Sequence, residues 1–215
     1  MISALVTDFY ELTMMQGYFL QHHNPRVVFD MFYRTNPFNG GYTIFTGLEE
    51  LVTILENFRF SEEDINYLRS LGKFQESFLE YLASYRFTGD LYAFDEGTPA
   101  FPQEPLIRVE TNMLDAQLIE SVLLNTINFQ TLIATKASRM KLATKSHGSI
   151  MEFGLRRAQG MDGALSASRA CYIGGADVTS NTLAGKEFGI PVAGTMAHSW
   201  IMLFSDEYEA FRAFA

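Results

Sequence analysis

The feature that most narrows the fold lies in the second half of the chain, where short strand-like runs alternate with polar loops and helical segments. Residues 150–153 read as a strand, followed by a polar loop and a helix of small residues over 163–172. Residues 176–178 read as a second strand, with a helix over 180–188 that Gly189 ends. A third strand over 190–193 leads through Gly194-Thr195 into a helix starting near Ser199. The strand ends fall near 154, 178 and 194, the spacing of short strand–helix units in a parallel sheet or barrel. A long helix precedes them, because Leu114, Leu118, Val122 and Ile119, Leu123, Ile127 make adjoining apolar stripes over 114–136.

The first half lacks this rhythm. A helix over 7–21 carries Leu12, Met15 and Phe19 at helical spacing behind Thr7 or Asp8, and Pro25 stops it. Strands are expected over 27–33, 42–45, 89–94 and 106–109, with turns at 36–41 and at Gly97-Thr98-Pro99. Helices are expected over 48–58, 61–72 and 74–85, the second capped by Ser61 and followed by acids. The mixture is α+β, which divides the chain into an α+β domain over 1–110 and a strand–helix domain over 111–215.

Charge divides it at the same place. Residues 1–110 carry 7 Lys/Arg against 16 Asp/Glu, whereas 111–215 carry 9 of each. Within 136–169, seven basic residues face only Glu152 and Asp162. A basic window inside a chain of net charge −9 suits a small anionic ligand, or is a solvated face. The overall acidity argues against nucleic acid as a partner. The single cysteine, Cys171, excludes an intramolecular disulfide framework and points to a reducing, cytoplasmic setting. Asp8 and Glu11 interrupt any signal-peptide pattern, and the apolar run 190–204 is too short and too polar to span a bilayer, so a soluble protein is expected.

In parallel strand–helix structures the chemistry sits at the carboxyl ends of the strands. The first end is Glu152-Phe153-Gly154-Leu155-Arg156-Arg157, an aromatic followed by a glycine and two guanidinium groups suited to an anion. The second runs from Gly174-Gly175 to Asp177-Val178-Thr179-Ser180-Asn181, rich in small donors at a helix start. The third, Gly194-Thr195-Met196-Ala197-His198-Ser199, sets one histidine beside a glycine turn. Each has a plain alternative: His198 as a hydrogen-bonded structural residue, Phe153 as core, one of Arg156 and Arg157 in an ion pair, and Gly174-Gly175 as a turn only. No metal-ligand spacing stands out: His22-His23 are adjacent and His147 is isolated. Hydrolase, phosphate-loop and dinucleotide signatures are absent too.

Three stretches, Leu5-Val6-Thr7-Asp8-Phe9-Tyr10-Glu11-Leu12-Thr13-Met14, Glu152 to Gly160 in Glu-Phe-Gly-Leu-Arg-Arg-Ala-Gln-Gly, and Gly194 to Ser199, resemble nicotinate phosphoribosyltransferases, with Thr179-Ser180-Asn181-Thr182-Leu183-Ala184-Gly185 a lesser match between them. The resemblance implies an N-terminal α+β sandwich domain followed by part of an irregular (β/α) barrel, in a homodimer with a shared active site. It implies an enzyme of NAD salvage that joins nicotinate to phosphoribosyl pyrophosphate with Mg²⁺, coupled to ATP as co-substrate. Carried over by motif, Phe153 would stack on one face of the pyridine, and Tyr10 with Asp8 would cover the other face from the second subunit. Arg156 would hold the nicotinate carboxylate or a ribose phosphate. Thr179 and Asn181 would line the ribose or phosphate side, with Thr195 also in the substrate site, and His198 would be the histidine that ATP phosphorylates. No residue of the chain is implied as a metal ligand.

Two other readings compete. One is a related phosphoribosyltransferase acting on nicotinamide or quinolinate. The other is a non-catalytic fragment serving as a dimerisation or binding module, because three strand–helix units are visible where barrel closure takes about eight strands and roughly 250 residues. On that count the chain is expected to be an incomplete piece, ending inside a helix over 205–215.

Overall fold

The computed structural model describes residues 2–145 and 148–215, so His147 lies outside the described residues. The chain opens with helix α1 (Phe9–Leu20), for which Asp8 is the N-cap residue, and strand β1 (Arg26–Met31) follows. In β1 the residues alternate, Val27, Phe29 and Met31 half-buried against Arg26, Val28 and Asp30 exposed, as a strand with one face on a core requires. After a short 3-10 turn at Pro37–Asn39 come β2 (Thr43–Ile44), α2 (Leu48–Glu56), α3 (Glu62–Ser70) and α4 (Glu76–Ala83). Helix α3 starts in a full capping box: the Ser61 hydroxyl accepts from Asp64 N–H while the Asp64 carboxylate accepts from Ser61 N–H.

Strands β3 (Asp90–Ala93), β4 (Pro99–Ala100) and β5 (Ile107–Asn112) follow. β5 lies between β1 and β3 in an antiparallel sheet, with Phe29 opposite Val109 and Leu91 opposite Val109 on its other side. The inward residues Ile107, Val109 and Thr111 are buried, and the outer face carries the exposed pairs Asp30–Arg108 and Arg26–Asp90. β2 pairs with β4, placing a two-residue strand where the sequence suggests only a turn. Pro99 can occupy it because a two-stranded ladder leaves one edge free of donors.

The helix expected over 114–136 is two helices, α5 (Met113–Leu118) and α6 (Glu120–Ala143). The chain stays near helical geometry through Ile119, so the apolar periodicity runs across the break unmarked. One core takes in residues from Ala4 to Ile127, including Phe45, Phe58, Phe78, Leu118 and Val122. The second half of α6 leaves this core. Its Thr131 and Thr135 hydroxyls accept from the N–H groups of Thr46 and Ile44, so helix side chains satisfy the backbone of β2 and of the loop just after it.

Beyond it lie β6 (Met151–Glu152), α7 (Met161–Ile173), β7 (Val178–Thr179), α8 (Thr182–Phe188), α9 (His198–Ile201) and α10 (Glu207–Phe214). β6 and β7 are parallel, with Met151 opposite Val178, as the strand–helix rhythm predicts. The third strand shrinks to one parallel bridge, Thr179 to Val192, held by Thr179 N–H to Pro191 and Ala193 N–H to Thr179. Pro191 has no N–H to give a longer ladder. Among the described residues the parallel strands form an open arc rather than a closed barrel.

Gly174-Gly175 takes the plain role. Gly174, the C-cap residue of α7, is buried against α6, and a Cβ there would lie 2.3 Å from the Ala134 carbonyl oxygen. Backbone cannot yield as a side chain can. Gly174→Ala is therefore expected to destabilise the protein by about 2–3 kcal/mol, read as a lowered urea midpoint. An unchanged midpoint would show that α6 and α7 separate at no cost.

Candidate active site

The carboxyl ends of β6, β7 and the Val192 bridge open onto one cavity of about 730 Å³. At the first end, the chain leaves β6 through Phe153-Gly154 into a 3-10 turn at Leu155–Arg157, closed by Arg157 N–H to the Gly154 carbonyl. This turn sets Phe153, Leu155 and Arg156 on the cavity. Phe153 is 44% exposed and belongs to neither apolar core cluster, which removes the core alternative. Arg156 makes no ion pair or side-chain hydrogen bond among the described residues, and neither does the neighbouring exposed Arg157. From the third end come Thr195 and His198, both exposed, His198 as the first residue of α9.

The second end differs from expectation. Ser180 and Thr182 line the cavity, while Thr179 and Asn181 are buried at 1% and 4% exposure beneath it. The Thr179 hydroxyl donates to the Glu152 carboxylate at 2.6 Å and accepts from Asn181 N–H. The Asn181 carboxamide oxygen accepts from Ala184 N–H as the N-cap of α8, and its nitrogen donates to Ser168 Oγ at 3.2 Å. Alternation along an extended segment carries the reason for 179 to 181: Thr179 and Asn181 share the inward side and Ser180 the other, while Thr182 opens α8. That period could have selected Ser180 from the sequence.

The basic window disperses. Arg169, on α7, is taken by Glu96 at 2.7 Å and by Glu49. Burial pushes the Glu96 carboxyl up, but the Arg169 guanidinium and the N–H groups of Gly47 and Leu48 outweigh it and hold it below its ordinary range. Lys141 pairs with Asp177 at 2.8 Å. Lys136 and Arg139 sit over the Phe38 ring. Arg156 is the one member that lines the cavity, and the described lining contains no carboxylate.

Asp8 lies elsewhere, on a second cleft of about 740 Å³ between the start of α1, the end of β1 and α6, and no residue lines both clefts. The Asp8 carboxylate accepts from Ser121 Oγ at 2.9 Å. Tyr10, half-exposed on the next turn, has its hydroxyl pushed up to about 12 by a hydrogen bond to Glu11, with desolvation and the carboxylates of Glu11, Glu120 and Asp8 adding to it. It stays a neutral phenol with an apolar face.

A sequence model described as the nicotinate phosphoribosyltransferase (NAPRTase) N-terminal domain matches residues 5–128. The chain belongs to the nicotinate phosphoribosyltransferase family. It is 44% identical over 214 residues to a nicotinate phosphoribosyltransferase of Mycobacterium tuberculosis, covering 100% of this chain and 46% of that one. A Bacillus subtilis nicotinate phosphoribosyltransferase is 46% identical over 213 residues, covering 99% and 43%. Among solved structures, human nicotinic acid phosphoribosyltransferase superposes with a TM-score of 0.86 at 39% identity, over 93% of this chain and 41% of that one. Nicotinate-nucleotide pyrophosphorylase from Pyrococcus furiosus superposes at 0.80 with 26% identity, over 98% and 46%. The chain thus spans just under half the length of these nicotinate phosphoribosyltransferases. It shares their mixed α/β architecture, and no helix among its described residues is long and apolar enough to cross a membrane.

Proposed function

We propose that the protein containing this chain joins nicotinate to phosphoribosyl pyrophosphate, giving nicotinate mononucleotide and pyrophosphate with ATP coupling, as a cytoplasmic step of NAD salvage. The observation that carries this is the cavity at the strand ends, where an exposed phenyl ring, a guanidinium with no partner among the described residues and an exposed imidazole share one space. Phe153 stacks on the pyridine and Arg156 holds an anion, the nicotinate carboxylate or the ribose phosphate. The ring nitrogen then forms its bond to the ribose carbon as the bond to pyrophosphate breaks, and the leaving oxygen takes the electron pair. Fixing the two reactants in line, and giving Ser180, Thr182 and Thr195 as donors to oxygens, is what these side chains contribute.

Mg²⁺ enters with the pyrophosphate as part of the substrate, and neutralising the leaving group is the chemistry it supplies. The described residues offer no group of three metal-ligating side chains and the lining no carboxylate, so the chain's own residues do not fit a protein-held ion. For ATP coupling, the His198 imidazole attacks the terminal phosphate: a nitrogen–phosphorus bond forms and the bond to ADP breaks. The added charge then lies on the cavity that Arg156 lines. Thr179 and Asn181 act from beneath, shaping the floor. In a homodimer, the partner subunit's Tyr10 and the partner subunit's Asp8 cover the open side of the pyridine. The clefts being separate within one chain is what such sharing requires.

The test is pyrophosphate release by the protein at its natural length, from nicotinate, nicotinamide or quinolinate, with and without ATP. Nicotinate is expected to be the substrate and ATP to stimulate. Faster turnover of either other pyridine would make it the related enzyme. Turnover of none would leave a binding or dimerisation module.

A further inference from the structure

The residue before Phe153 is a carboxylate aimed into the protein. Glu152 is half-buried and makes no ion pair among the described residues. Its Oε2 accepts from Ser168 Oγ on α7 at 2.9 Å and from Thr179 Oγ1 on β7 at 2.6 Å. Its Oε1 accepts from the Gly154 N–H, one residue past Phe153. Both hydroxyls are themselves fixed. Thr179 Oγ1 accepts from the Asn181 backbone N–H, and Asn181 Nδ2 donates to Ser168 Oγ, so four residues of β6, α7, β7 and the start of α8 close into a ring through the Asn181 main chain. The Glu152 carbonyl adds a bond from Ser180 N–H at 2.9 Å.

A half-buried charge is a poor way to gain stability, because partial desolvation offsets some of what its hydrogen bonds contribute. What this one does that an apolar side chain could not is grip the backbone of the turn. The carboxylate folds back over Gly154, where a Cβ would stand 2.7 Å from Oε1, so a side chain at 154 would push the carboxylate aside. Phe153 is held between the two gripped positions.

We propose that Glu152 is a positioning residue for the pyridine site: its carboxylate, anchored by Ser168 and Thr179, holds the Gly154 N–H and thereby fixes the direction in which Phe153 leaves the strand. It acts through Phe153 and touches no substrate. The proposal rests on the nicotinate reading above.

The experiment is steady-state kinetics on the protein at its natural length, with melting temperature measured beside it. Glu152→Ala is expected to raise the nicotinate KM about tenfold, with kcat and the KM for phosphoribosyl pyrophosphate within about twofold of wild type. Glu152→Gln keeps an acceptor for Gly154 N–H and is expected to restore the nicotinate KM to within about twofold. Added to Phe153→Ala, the alanine at 152 is expected to do little more, because its effect passes through the missing ring. Equal rises in both KM values, additive effects in the double variant, or an unmoved nicotinate KM would each overturn the proposal. If Glu152→Ala does not fold, Glu152→Asp, which shortens the arm and keeps the charge, must raise the nicotinate KM selectively or the proposal fails. Wild-type protein that neither binds nor turns over nicotinate would overturn the functional reading itself, and this proposal with it. An active wild type with an indifferent position 152 would overturn this proposal alone.

Discussion

Phe153→Ala is expected to raise the nicotinate KM by about ten- to a hundredfold, since stacking a heteroaromatic ring on an aromatic side chain is worth about 1–3 kcal/mol and about 1.4 kcal/mol is tenfold in affinity. The physical case is that the ring is placed but not used by the fold. It is 44% exposed, lies in neither apolar cluster, and stands at a corner whose backbone is bonded on both sides. Truncation therefore removes ligand contacts and leaves no core cavity, so the melting temperature should barely move. Phe153→Tyr keeps a flat face and should keep most of the affinity. The measurement is nicotinate KM alongside thermal melting. A fall of several degrees with an unchanged KM would return Phe153 to a packing role.

What was legible in the sequence follows from how local each signal is. The start of α3 was readable because Ser61 and Asp64 satisfy each other's backbone within four residues. The end of α8 was readable because Gly189 takes the left-handed conformation, φ 68°, that glycine reaches without strain. The parallel pairing of β6 with β7 was readable from the repeat of short strands and helices. In the same way, the exposure of Phe153 and Arg156 on one cavity was readable from their place just past a strand end.

Signals that depend on distant partners were not readable. The basic window looked like one patch, but Arg169 is claimed by Glu96, 73 residues earlier, and Lys141 by Asp177, 36 residues later. What remains for an anion at the cavity is Arg156. Thr179 and Asn181 carry the right chemistry for a phosphate, and the structure uses it on the half-buried Glu152 carboxylate and a helix cap. The break between α5 and α6 escaped because Ile119 keeps near-helical geometry, φ −85° and ψ −7°, and every residue from Leu114 to Ile119 is buried, polar ones included. Periodicity reports which face is buried; it carries no information where every face is.

His198→Asn is expected to abolish stimulation by ATP while leaving ATP-independent turnover, the most complete loss that any single change in the cavity should produce. His198 is exposed at the first position of α9, and its side chain has no hydrogen-bond partner among the described residues. No structural bond is lost on replacement, so melting should be unchanged. Asparagine keeps a polar group of similar reach, yet its amide nitrogen has no basic lone pair with which to take a phosphoryl group. The stacking ring and the guanidinium on the same cavity are untouched, so nicotinate and phosphoribosyl pyrophosphate still meet, and only the coupling is removed. Terminally labelled ATP should leave an acid-labile, alkali-stable phosphate on the wild type and none on the variant. Undiminished stimulation or labelling in His198→Asn would move the phosphorylated residue elsewhere and leave His198 as a lining side chain.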